Sequence, residues 1–248
     1  MNLWLCVARN WQQGLTVTLQ EPQYRNLASN RSSGRFCYNI IMIISHKDKD
    51  YHLPCENGAH IYSELICKYF IPNIITGMNW NTINVGKAID NSIVFIHSNL
   101  NTEKRYGFLK DYKRQLLICS QQTTCRAVEN LGTPVYLPLS IDVDYVRQFN
   151  TTKDRYCCYA GRRAKTDTET MKKNGIDILA DLPHDELLKR MAHYHYVYAV
   201  GLTALEAKCL DCNVLAYDQR FPNPAVWKVR DIKSMIPVLQ NIIDIYEH

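Results

Sequence analysis

Glu206 is the one carboxylate in an apolar run, Leu202 to Ala207, that follows Gly201 and ends in a CxxC, Cys209 and Cys212. The whole stretch, "VGLTALEAKCLDCNVLAYD", reads as a strand end at Val200, a close turn at Gly201, a helix from about Thr203, and a second strand that closes on Asp218. Free amides and the positive end of the helix dipole then converge beyond the turn, which suits a phosphate. Glu206 lies one turn further in, placed to accept hydrogen bonds from a pair of sugar hydroxyls. The plainer alternative makes Gly201 a tight turn and Glu206 a surface residue of an amphipathic helix.

Other side chains could carry chemistry. Arg162, Arg163 and Lys165 follow a strand-like run and could neutralise a diphosphate as a leaving group departs from it, or form only a basic loop. His97 ends the apolar run "SIVFIH", where the crevice of a parallel sheet opens. An imidazole there could take a proton from an acceptor hydroxyl, bind a sugar, or serve structure alone. Leu182, Pro183 and His184 could flank a nucleobase, although Pro183 and Asp185 also make an ordinary helix start. Asp142 and Asp144 form a D-x-D, which could share one divalent cation with a diphosphate. The CxxC lacks the second ligand pair that structural zinc requires, and adjacent Cys157 and Cys158 read as packing on the two sides of a strand.

These residues need elements to hold them. Apolar runs of strand length alternate with amphipathic stretches, the mark of a parallel sheet with helices on its faces. Strands are expected at 39–45, 73–77, 92–97 and 115–119 and near 135–138, then at 156–160, 177–180, 196–200 and 213–217. Helices fit 59–70 and 122–130, then 166–174, 184–193, 203–210 and 232–246. The halves form two sheets, with a polar joint within 140–155. Residues 11–37 read as a hairpin or irregular excursion.

The 248 residues are 46% hydrophobic and 21% charged, ordinary for a packed soluble protein. The apolar runs "YNIIMII" and "YHYVYAV" fall far short of the roughly 20 residues a spanning helix needs. Nothing at Met1 reads as an export signal, so a cytoplasmic location is expected. Ten cysteines in a chain of this size then read as reduced thiols. The net charge of +5 is mild, with one basic concentration at 103–114, "EKRYGFLKDYKR". Such a run is a solvated helix face or meets an anionic partner such as nucleic acid.

"GLTALEAKCLDCNVLAYD" resembles the donor-binding segment of nucleotide-sugar-dependent glycosyltransferases of the GT-B fold, often written G-L-x-x-x-E-A-x-x-x-G-x-P-V-I-A. Three more segments match in order: "VYLPLSIDVDYV" (135–146) resembles the interdomain P-x-G-I-D, "YCCYAGRRAK" (156–165) the strand and loop ending in G-R with a nearby lysine, and "IDILADLPHDELLKRMAHYHYVYAV" (176–200) the strand, base-contacting loop, helix and strand that follow. The first half is similar more thinly, through "ENGAHIYSELICKYF" (56–70), "SIVFIHSN" (92–99) and "LLICSQQTTCRAVENLG" (116–132).

The resemblance implies an α/β chain of two Rossmann-like domains facing a cleft: an abbreviated acceptor-side domain, 1–140, and a nucleotide-sugar domain, 141–248. It implies transfer of a hexose from a nucleotide diphosphate sugar, first of all a UDP-sugar, to an acceptor hydroxyl. His97, Arg162 and Lys165 would be catalytic, while Arg163, Leu182, Pro183, Gly201, Leu202, Thr203 and Glu206 would bind the donor. No metal and no cofactor beyond the nucleotide-sugar co-substrate are implied. The acceptor is open; the short length is similar to that of phage DNA-modifying glucosyltransferases, which keeps nucleic acid among the candidates. The chain departs from the pattern at Tyr198, where retaining members place the first acid of E-x7-E, and at Ser140, Asp211 and Asn213. Two alternatives follow: a catalytically degenerate nucleotide-binding module of the same fold, or a D-x-D metal-dependent glycosyltransferase.

Overall fold

The computed structural model describes residues 58–74, 82–84, 90–96, 107–111, 113–161 and 167–247. The strand expected at 39–45 and the excursion at 11–37 lie outside them. Two four-stranded sheets, parallel throughout, organise the described chain. The first contains β1 (Thr82–Asn84), β2 (Ser92–Ile96), β3 (Gln115–Cys119) and β4 (Thr133–Tyr136) in simple sequential order. The second contains β5 (Arg155–Ala160), β6 (Asp177–Leu179), β7 (Tyr194–Tyr198) and β8 (Asn213–Leu215), ordered β6-β5-β7-β8.

Helices are α1 (Gly58–Leu65), α2 (Gln122–Val128), α3 (Val143–Arg147), α4 (Thr168–Lys173), α5 (His184–Met191), α6 (Leu202–Cys209) and α7 (Ile232–Glu247). The α/β class with parallel sheets agrees with the alternation read from the sequence.

Every residue of β2 and β3 is buried, as expected of parallel strands covered on both faces. Alternation divides them between two cores. Ile93, Phe95, Leu116 and Ile118 face the large cluster, whereas Val94, Ile96, Leu117 and Cys119 join Leu109, Val128 and Leu131 on the other side. The large cluster runs on to Cys158, Ala160 and Val197 of the second sheet and to Leu205, Leu239 and Ile243 of α6 and α7. One contiguous apolar core therefore touches both sheets.

Several boundaries differ from the sequence reading. Asn73 lies in a turn, its amide bonded to the Phe70 carbonyl at 3.0 Å, rather than opening a strand. The outer strand of the first sheet is the three-residue β1, which the sequence reading did not contain. The helix expected over 59–70 is α-helical only to Leu65 and continues as a π-helical turn, Ile66–Phe70. β7 begins two residues early because Tyr194 pairs with Arg155 and its hydroxyl bonds Asp177 at 2.7 Å.

The polar stretch 140–155 holds a helix, α3, capped by Asp142, whose carboxylate accepts from the Tyr145 amide at 3.1 Å. Just before it, Ile141 accepts from the Ile232 amide at 2.8 Å and donates to Arg230 at 3.0 Å, which ties the stretch to the start of α7.

Candidate functional site

The strand order of the second sheet switches side at β5. The chain leaves β5 for β6 on one side and returns to β7 on the other, and in open α/β sheets ligands bind beyond the carboxyl ends of the strands at such a switch point. Gly161 follows β5 at this edge; a side chain there would meet the Tyr159 hydroxyl at 2.6 Å. Arg162, Arg163 and Lys165 follow it in the chain but lie outside the described residues. So does His97, which follows β2.

Gly201 lies on the other flank, three residues past β7, with φ 65° and ψ −134°. That backbone conformation is nearly restricted to glycine, and it aims the chain into α6. No side chain caps the helix. Leu202 is buried, and a Cβ on Gly58 would lie 3.7 Å from its own Cβ, so the amino ends of α1 and α6 lie side by side. Thr203 is half-buried.

Almost the whole of α6 is buried, including Glu206, which is 2% exposed. The surface reading of Glu206 is thereby excluded. An isolated carboxylate in such a place is costly unless it is hydrogen-bonded. His184, at the first position of α5, meets the need: its Nε2 lies 2.8 Å from Glu206 Oε1, and its side chain is 13% exposed. The contact is a hydrogen bond in which the imidazole donates in the tautomer that carries its proton on Nε2.

Glu206 and His184 open onto a cavity of about 240 Å³. Its opposite wall is Ile61, Glu64, Leu65 and Lys68, from α1 and the π-helical turn, and its floor includes Ile141, Asp142 and Tyr145. The cavity is thus built from both halves of the chain. Among the described residues its charged lining comprises the carboxyl groups of Glu64, Asp142, Asp185 and Glu206 with Lys68. Carboxyl groups so placed are acceptors for hydroxyl donors.

Asp142 ties this wall together. It accepts from the Tyr69 hydroxyl and from Lys68 at 3.3 Å, besides the Tyr145 amide. Burial opposes its ionisation, yet these bonds outweigh burial and hold the carboxyl below its ordinary value. Asp144 turns outward to Lys233 at 2.5 Å. The D-x-D carboxylates share Lys233, which also lies 4.0 Å from Asp142 Oδ1, while Lys68 and Tyr69 engage Asp142 alone of the two. Among the described residues no group of three or more His, Cys, Asp or Glu side chains is gathered as a metal site.

Of the residues proposed to flank a base, Leu182 is half-buried against the large core and Pro183 is the exposed N-cap of α5. His184 is brought to Glu206, a partnership the sequence reading missed. Asp185 accepts from the Tyr145 hydroxyl. Tyr198 ends β7 where an acid was expected in the related pattern. Cys209 and Cys212 are both buried, and burial raises both thiols above their ordinary value.

The basic run is described only from Gly107. Lys110, Lys113 and Arg114 are exposed just before β3, at the amino edge of the first sheet and about 16 Å, one strand length, from its carboxyl edge.

No helix among the described residues is long and apolar enough to cross a membrane. Comparison with protein-family models, curated proteins and solved structures returns no match for this chain.

Proposed function

We propose that the protein is a GT-B-like glycosyltransferase that moves a hexose from a nucleotide diphosphate sugar, a UDP-sugar first of all, to an acceptor hydroxyl. In this reading 1–140 and 141–248 form two Rossmann-like units about a cleft, acting in the cytoplasm. The observation that carries it is Glu206: a buried carboxylate one turn into a helix that starts at a positive-φ glycine beside the switch point of a parallel sheet. That placement supports a division of labour. Phosphates meet the amino end of α6 around Gly201, Leu202 and Thr203, helped by the dipole and by Arg163. Sugar hydroxyls meet Glu206 in the carboxylate-lined cavity.

Arg162 and Lys165 would neutralise charge on the departing diphosphate, and such stabilisation is the main catalytic contribution expected of this site. His97 would activate the acceptor hydroxyl or hold the transferred sugar. The partner of the reaction is the nucleotide-sugar donor; nucleic acid is one acceptor class this proposal admits, through Lys110, Lys113 and Arg114. Tyr198 in place of an acid favours a second reading, a nucleotide-binding module without turnover.

Thermal-shift screening of nucleotide sugars, followed by mass spectrometry of donor hydrolysis, separates the two. Stabilisation with turnover is expected; stabilisation without it selects the module. Glu206→Ala should weaken donor binding by about 1.5 to 3 kcal/mol, the loss of a hydrogen bond to a charged group. Unchanged affinity in the folded variant would remove the central assignment.

A further inference from the structure

We infer that His184 is a positioning residue that locks the Glu206 carboxylate toward the cavity, and that it thereby sets the preference of the site for nucleotides with ribose hydroxyls. The inference rests on the nucleotide-sugar reading above and gives His184 a role other than flanking a base.

The 2.8 Å contact occupies Oε1 of Glu206, and the same carboxylate lines the cavity. A buried carboxylate with one oxygen fixed by a donor has few rotamers left, so its remaining acceptor capacity is presented in one direction before any ligand arrives. Preorganisation of this kind converts a hydroxyl contact into discrimination, because a ligand lacking the hydroxyl leaves a buried acceptor unpaired.

His184 is itself held. It is the first residue of α5, whose first helical bond runs from the Leu187 amide to the Pro183 carbonyl at 2.9 Å, and whose Leu188 and Met191 are buried in the large core. The Tyr145 ring lies 6.3 Å away at a tilt of 32°. Its neighbour Asp185 is taken by the Tyr145 hydroxyl. The chain thus fixes the imidazole from its own helix and from α3, with Nε2 against Glu206.

The test uses the full-length protein and calorimetric affinities for the uridine, guanosine, adenosine and cytidine diphosphates, each beside its 2′,3′-dideoxy counterpart. The wild type should prefer the ribose form of its nucleotide by about 10- to 100-fold, the range of a hydrogen bond to a charged group. His184→Ala should reduce that preference to about threefold or less. His184→Gln, whose amide can donate from a similar position, should retain most of it. His184→Phe, which keeps a ring but no donor, should lose it, and it serves if the alanine variant does not fold.

Ribose preference retained in both the alanine and phenylalanine variants would overturn the inference while the nucleotide reading stands. So would loss of transfer at unchanged nucleotide affinity and preference, which would make His184 a group acting on the acceptor. A wild type that binds none of the eight nucleotides removes the reading and the inference together.

Discussion

Asp142 and Asp144 differ by two positions and by almost everything else. Asp142 is 7% exposed in its side chain and bonded by Tyr69, Lys68 and the Tyr145 amide, whereas Asp144 is 77% exposed and faces Lys233. The folded-state pKa of Asp142 lies below the ordinary 3.8, so its contribution to stability is present above that value and is lost as pH falls through the lower one. Urea unfolding should therefore show Asp142→Asn less stable than wild type at pH 7, with the gap narrowing by pH 2.5. A gap independent of pH would mean that ionisation of Asp142 is not what stabilises the fold. Asp144→Asn should shift stability by no more than about 1 kcal/mol, as for other exposed pairs. If donor turnover is observed, chelator should leave it intact; strict Mn2+ or Mg2+ dependence lost in Asp144→Asn would restore the D-x-D as a metal site.

At the scale of elements, α6 shows why part of the site was legible in sequence. Strand, glycine and helix follow one another within a dozen residues, and the φ of 65° at Gly201 is the conformation such a turn demands. Gly201→Ala should cost about 1 to 3 kcal/mol in stability through backbone strain alone, because an added Cβ meets no atom within 4 Å. It should also weaken donor binding by moving the amino end of the helix. A variant with unchanged thermal midpoint and unchanged donor affinity would show that the turn is not under this constraint.

The other wall was not legible, since Tyr69 and Lys68 reach Asp142 across 73 and 74 positions and no local period announces such a pairing. A π-helical turn at Ile66–Phe70 rotates these side chains away from the straight α-helical continuation that the pattern implied. β1 was missed because three residues carry too short an alternation to count, and α3 because its cap, Asp142, reads equally well as a turn residue.

For the molecule as a whole, the shared core sets how freely the halves can move. Two domains on a small polar interface would be expected to rotate against each other, but a large apolar interface resists that. Here Ile66 and Phe70 of the first half join the same cluster as Leu205, Leu239 and Ile243 of the second, and Ile141, 1% exposed, belongs to it too. Ile141 is also held at both backbone atoms by the start of α7. The described halves should accordingly unfold as one cooperative unit, with ligand binding adjusted in side chains and loops more than by wide hinge motion. Ile141→Ala removes buried volume from that cluster and should destabilise by about 2 to 5 kcal/mol. Hydrogen exchange reports each sheet separately: amides of β2 and β3 and amides of β5 and β7 should lose protection together and by similar amounts. If β5 and β7 kept full protection while β2 and β3 exchanged freely, the core would not be coupling the sheets, and independent motion of the two halves would become the better account.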